Sequence, residues 1–179
     1  MVDTSFYVPA DKLNRFATNY NSNRTGTLTP IDLPSGQFSK PKAFESGGGG
    51  LTSTAMDYFR FLNLIESGGQ HNGKQLISKK SLTLMTTNQL PKEVGWIRFG
   101  DEERVGVGYG LGFNVRTKMS VWDPGGRVGE YGWGGAASTH FWVSPKDRLV
   151  VVTMEQVMPY AFLTEFALKK TIYNAIESE

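Results

Sequence analysis

The chain has no cysteine, and its 179 residues include only two histidines, His71 and His140. The first absence excludes a disulfide framework and any thiolate metal site. The second leaves too few imidazoles for a zinc centre, so both histidines read as surface or structural residues and no metal or other cofactor is expected. Long apolar runs are missing too: nothing approaches the roughly 20 residues of a membrane-spanning helix. Met1-Val2-Asp3-Thr4 lacks the basic and apolar regions of a signal peptide, which tilts the expected compartment toward the cytoplasm and away from a membrane. Nor is charge of one sign in excess. Nineteen Lys and Arg against 17 Asp and Glu leave a dispersed net charge of +2, too little for a nucleic-acid surface.

What is present fits a globular protein. With 39% hydrophobic and 20% charged residues and no compositional break, residues 1–179 read as one domain, large enough to bury roughly two-thirds of its unfolded surface. Ala10 to Thr18 reads as a short helix with Leu13, Phe16 and Ala17 on one face. Asn19 to Gly50, broken by Pro30, Pro34 and Pro41, reads as a long surface connection. Thr54 and Asp57 form a capping pair for a helix to Glu66, with Met56, Phe59, Leu62 and Ile65 inward and Gly68-Gly69 ending it. Gly47 to Gly50 could bind an anion at that helix N-terminus, but no Gly-Lys-Ser/Thr follows, so packing is the expected role. After a turn at Asn72-Gly73, Ser78 caps a helix to about Asn88 with Leu82 and Met85 inward. Leu90 to Arg104, with its acidic run Asp101-Glu102-Glu103, reads as an exposed loop.

From Gly106 the period changes to two. Gly106, Gly108, Gly110 and Gly112 alternate with Val107, Tyr109, Leu111 and Phe113, a strand with one bare face against which something must lie. Val115 and Met119 to Trp122 read as a continuation or hairpin, and Pro124-Gly125-Gly126 as a turn. Further strands are expected at Thr139 to Val143 and Leu149 to Met154, with a turn at Pro145-Lys146-Asp147 between them. Pro159 suits the first turn of a final helix along which Phe162, Phe166, Lys169, Tyr173 and Ile176 repeat. The fold class is therefore α+β, an antiparallel sheet with a long C-terminal helix and additional helices.

The stretch Gly129-Glu130-Tyr131-Gly132-Trp133-Gly134-Gly135-Ala136-Ala137-Ser138-Thr139-His140-Phe141-Trp142-Val143 combines bulky aromatics with glycines. Glycine in a strand lets a ligand or another backbone come close, although a plain bulge has the same signature. Together with Phe44 to Tyr58 and Gly108-Tyr109-Gly110-Leu111-Gly112-Phe113, it resembles the serine β-lactamase-like superfamily, in particular its carboxylesterases and class C relatives. The resemblance runs from about Asp3 to the C-terminal helix but corresponds to only the second half of a family domain. Residues 1–104 match the helices and loops of the lid side, and 105–179 the strands and last helix.

Members of that superfamily carry three boxes: Ser-x-x-Lys with the nucleophile, a Tyr base, and a third box on a strand. Trp133-Gly134-Gly135 resembles the third. The resemblance implies a substrate wall of Trp133, Gly134, Gly135 and Ala136, with the Ala136 N–H as an oxyanion donor. Trp133 stands where penicillin-recognising relatives have a cationic or imidazole side chain, which favours a small-molecule ester or amide with an apolar part over a β-lactam carboxylate. The other two boxes are expected upstream of Met1, so the chain alone is expected to lack a nucleophile and to be inactive, as a natural truncation or cleavage product. Ser39-Lys40-Pro41-Lys42 matches Ser-x-x-Lys formally, but Pro41 disfavours the helical Lys40 the box needs. Trp96, Trp122 and Trp142 could form a sugar platform, though buried sheet aromatics are commoner. The apolar run Leu149 to Met154 reads as a central strand whose partner is absent, so an N-terminal half chain or a homodimer is expected to cover it. A non-catalytic binding or assembly protein that keeps part of the fold is the rival reading.

Overall fold

The computed structural model describes residues 1–23, 25–31 and 37–177. The chain opens with a 3-10 turn at Ala10–Arg15 rather than the expected α-helix. Leu13 and Phe16 remain 39% and 37% exposed, and a short helix with no face to bury lacks the packing that would sustain it. Two strands, β1 (Tyr20–Ser22) and β2 (Leu28–Pro30), pair antiparallel inside what the sequence presented as a connection. Pro30 is tolerated because β2 lies at the edge of its sheet. Pro34 lies outside the described residues.

Helix α1 (Ala55–Glu66) starts at Thr54, whose hydroxyl accepts from the Asp57 N–H. Its buried stripe is Tyr58, Phe61, Leu62 and Ile65, while Met56 and Phe59 face outward, a correction to the expected face. Spacing of i, i+3, i+4 and i+7 makes the first set the continuous one. Asp57 is buried instead: its carboxylate accepts from the Asp3 N–H at 2.6 Å and pairs with Arg60 at 2.5 Å. Those bonds, the Asp3 one foremost, hold its pKa below the usual carboxylate range. A hairpin of β3 (Gln70–His71) and β4 (Lys74–Gln75) turns at Asn72-Gly73, both at positive φ as a tight hairpin turn requires.

Helix α2 (Lys79–Thr86) is capped by Ser78, whose hydroxyl accepts from the Ser81 N–H. It stops two residues early because Asn88 is used elsewhere: its Oδ1 accepts from the N–H groups of Tyr109 and Leu90. The supposed loop after it contains a minimal hairpin, β5 (Arg98–Phe99) and β6 (Glu102–Glu103). Its acidic run is tied to arginines, Glu103 to Arg98 and Glu102 to Arg104, each at 3.0 Å.

The main sheet comprises β7 (Val107–Tyr109), β8 (Asn114–Arg116), β9 (Tyr131–Gly134), β10 (Thr139–Ser144) and β11 (Leu149–Met154). All neighbours are antiparallel, in the order β11-β10-β9-β8-β7. The expected strand stops at Tyr109, and the end of α2 with Asn88 just beyond it covers two of the four glycines. A Cβ on Gly108 would stand 2.2 Å from Asn88 Oδ1 and one on Gly110 1.9 Å from the Met85 carbonyl, whereas Gly106 faces the Lys118 carbonyl and Gly112, at φ 91°, faces open space. Met119–Trp122 is not a strand, because the Ser120 hydroxyl donates to the Val105 carbonyl and folds the segment back.

Alternation gives the sheet two different faces. One carries Phe113, Val115, Tyr131, Phe141 and Val143 against Leu62, Ile65 and Leu82, the apolar core. The other carries Arg116, His140 and Trp142, and beneath it runs α3 (Leu163–Glu177). This helix begins four residues after Pro159, since the preceding backbone is already engaged. Strand β12 (Val157–Met158) pairs parallel with β1, and the Ala161 N–H donates to the Ser138 hydroxyl. Trp122 packs tilted against Phe162 and edge-on against Phe166, and Lys169 and Tyr173 are buried as their spacing predicted, whereas Ile176 is exposed.

Candidate functional site

The candidate site is built on the β9–β10 hairpin. Gly135 N–H donates to the Thr139 carbonyl and Ser138 N–H to the Gly135 carbonyl, so residues 135–138 form a β-turn with Ala136 at its exposed tip. Ser138, at φ 61°, is buried and anchors that turn. Its hydroxyl donates to the Val157 carbonyl at 2.7 Å and accepts from Ala161, while Val157 N–H donates to the Ala137 carbonyl. A serine in the left-handed region persists because these contacts fix it.

Antiparallel ladders alternate their hydrogen-bonding direction. With Gly135 N–H turned to β10, the Gly134 N–H faces the opposite side, where β8 pairing has already ended at Gly132, and Ala136 follows in the turn beyond the ladder. Among the described residues the Ala136 N–H has no hydrogen-bond acceptor. Trp133 is gripped on its apolar side by Tyr109, edge-on at 5.3 Å, and by Phe99 at 6.1 Å.

The glycines of this stretch have an internal reason. A Cβ on Gly134 would lie 2.7 Å from Tyr160 Cε2 and 3.1 Å from His140 Cδ2, and one on Gly135 2.5 Å from Thr139 Oγ1. The chain's own side chains occupy that space. Gly132 likewise faces Trp142 and the Phe141 carbonyl.

Beneath the strand lies a buried charged layer. Lys169 Nζ is 2.8 Å from Asp123 Oδ2, 3.0 Å from Glu165 and 3.4 Å from Glu130, and Arg116 reaches Asp123 at 2.8 Å. Burial alone would lower the Lys169 pKa, but the carboxylates of Glu165, Glu130 and Asp123 outweigh it and the net shift is upward. Burial raises Glu130, against the pull of Lys169 and of Tyr173, whose phenol donates to it. Burial also raises Tyr173, and Glu130 adds to the rise. The cavity enclosed here is about 30 Å³, lined by Gly132, Trp133 and Gly134, which is water-sized and too small for a substrate. On the far side of Trp133 an open trough of about 440 Å³ runs past Trp96, Phe99 and Tyr109.

Other sequence candidates are dispersed. Ser39 and Lys40 lie in a turn and bend, not a helix, and among the described residues the Ser39 hydroxyl has no hydrogen-bond partner. His71 is exposed in the β3–β4 hairpin, while His140 is fully buried, 3.5 Å from Glu155 and 3.7 Å from Glu165. Trp122 and Trp142 border the small polar cavity and Trp96 the trough, so the three make no common platform. Ser144 donates to Asp147 at 2.5 Å, but it is 1% exposed and lines neither cavity. No cluster of three or more metal-ligating side chains occurs among the described residues, and no described helix is long and apolar enough to cross a membrane.

The Beta-lactamase family model matches residues 1–167. The chain belongs to that family. This β-lactamase-family chain is 35% identical over 164 residues to two proteins of Mycobacterium tuberculosis, Protein Rv1367c and the uncharacterized protein MT1414. The match takes in 89% of the chain and 40% of each relative, so the chain spans well under half their length. Its fold is that of the simvastatin synthase LovD of Aspergillus terreus, as the LovD6 mutant (TM-score 0.76, 20% identity, all of this chain and 48% of that one). It is equally close to EstCE1, described as a hydrolase with promiscuous acyltransferase activity (TM-score 0.76, 18% identity, 95% and 46%).

In this β-lactamase-family chain the charged layer under β9 escaped sequence reasoning. Its one signal was Lys169, standing on the same helical stripe as Phe162, Phe166 and Tyr173.

Proposed function

We propose that the chain supplies the receiving wall of an acyl-transfer site in a β-lactamase-like serine hydrolase that cleaves carboxylic esters. Trp133, Gly134 and Gly135 line the acyl group, and the Ala136 N–H stabilises the oxyanion. The observation that carries this reading is the unaccepted Ala136 N–H at the exposed tip of the turn, next to the end of β9 that β8 no longer covers. In the reaction a serine Oγ bonds to the ester carbonyl carbon, the alcohol leaves with a proton, and water then cleaves the acyl-enzyme. A main-chain donor set where negative charge develops contributes about 10²–10³ in rate.

The serine and its base belong to residues outside 1–179. Supporting this, no serine or threonine hydroxyl among the described residues is hydrogen-bonded to a lysine amine or a histidine ring, and Ser144, which Tyr173 reaches, is 1% exposed and lines neither cavity. The second part of the proposal concerns β11. Among the described residues only β10 pairs with it, and its open edge is covered by an N-terminal half chain or a second copy. That open edge also favours the rival reading, an assembly protein without catalysis.

Fluorophosphonate labelling and p-nitrophenyl ester turnover, on the chain alone and on the protein in which an upstream segment precedes it, test the reading. Labelling and turnover only with the upstream segment are expected. Labelling of the chain alone, at Ser39 or elsewhere, overturns it. Sedimentation of the isolated chain tests the edge: a monomer at all concentrations contradicts its being covered by a second copy.

A further inference from the structure

We propose that the trough beside Trp133 is the subsite for an extended, uncharged apolar group of the substrate. The inference rests on the reading of Trp133 to Ala136 as the substrate wall, and it names the substrate class that wall receives.

The trough is lined by Leu90, Val94, Trp96, Phe99, Tyr109 and Trp133, and its volume of about 440 Å³ falls within the range of small-molecule sites. Its walls are braced from behind. Arg104 lies 4.4 Å from the Phe99 ring and is itself paired to Glu102 at 3.0 Å, and Lys118 lies 4.6 Å from the Trp96 ring. Arg98, the charged residue of the lining, is exposed and paired with Glu103 at 3.0 Å. The other lining side chains carry no charge, and four aromatic rings favour an apolar group.

Position ties the trough to the turn. Trp133 lies near the end of β9 and Ala136 opens the turn three residues on, so the chain holds them at most about 11 Å apart. A carbonyl held at the Ala136 N–H and an apolar chain lying against Trp133 therefore fit within one extended molecule.

The test is a titration of the 179-residue chain with N-octylacetamide and with N-methylacetamide, following the indole N–H resonances of its four tryptophans. The octyl probe is expected to bind at least tenfold more tightly and to shift Trp96 and Trp133 but not Trp122 or Trp142. Val94→Asp, at an exposed rim position, is expected to weaken it at least fivefold. Equal affinity for the two probes, or shifts confined to Trp122 and Trp142, overturns the subsite. Because no turnover is read, the two readings fail separately. Octyl binding beside a complete protein that cleaves no ester removes the hydrolase reading alone, and ester cleavage without this binding removes the subsite alone.

Discussion

The ring of Tyr160 fills the space that a side chain at Gly134 would need, with Cε2 and the phenol oxygen 2.7 and 2.8 Å from where a Cβ would stand. The second residue of the Trp-Gly-Gly stretch is therefore glycine for an internal reason, whatever approaches the strand from outside. Gly134→Ala is expected to lower stability by about 1–3 kcal/mol through overpacking. In a Tyr160→Ala background the same change should cost at least about 0.5 kcal/mol less, because the two sites share the space. Urea unfolding of the four proteins measures this, and strictly additive costs would contradict the contact.

Ser138 joins the hairpin turn to the segment leading into α3. Ser138→Ala removes the donor to Val157 and the acceptor of Ala161 together and leaves the Ala161 N–H without its partner. The expected cost is about 1–3 kcal/mol. Hydrogen exchange at Ala161 should accelerate with it, and unchanged exchange there would show that the anchor lies elsewhere.

Lys169 is the hub of the buried layer. Lys169→Met removes the cation shared by Glu130, Glu165 and Asp123 and leaves Asp123 to Arg116, and removing one partner from such a group typically costs about 3–5 kcal/mol. The exposed neighbour Lys170→Met should stay within about 0.5 kcal/mol. Comparable losses from both would contradict the buried hub.

The same layer sets an alkaline limit. Lys169 holds its proton more tightly folded than unfolded, so its contribution is fully present below its unfolded pKa of 10.5 and is lost as pH rises toward the folded value. Tyr131, Tyr160 and Tyr173 are raised from 10.0, chiefly by burial, and above that pH the unfolded chain releases their protons first. Both effects have one sign: stability falls as pH climbs past 10. The Lys169 share of the slope is up to about 1.4 kcal/mol per pH unit. Urea midpoints across that range should fall, less steeply in Lys169→Met.

Much of this fold was legible where local chemistry decides it. Thr54 and Ser78 announce the starts of α1 and α2, the run from Leu149 to Met154 is β11 residue for residue, and of the four alternating glycines near Tyr109, Gly108 and Gly110 have the cover they called for at the end of α2. The start of α3 was not legible, because it depends on Ser138 capturing the Ala161 N–H from 23 residues away. The exposed Met56 and Phe59 show that two apolar residues at helical spacing do not settle which stripe packs; Tyr58 and Phe61 share the better one. The charged layer stayed hidden for a similar reason. Asp123, Glu130 and Lys169 look like surface residues until the sheet and α3 close over them.

The most direct test of the receiving wall deletes one atom group. Ala136 is the second residue of a β-turn, where proline fits, and Ala136→Pro removes the N–H while leaving the turn. In the protein that joins residues 1–179 to the segment bearing the nucleophile, kcat for ester hydrolysis is expected to fall about 10²–10³-fold at nearly unchanged KM and Tm. Full turnover by Ala136→Pro would contradict the account.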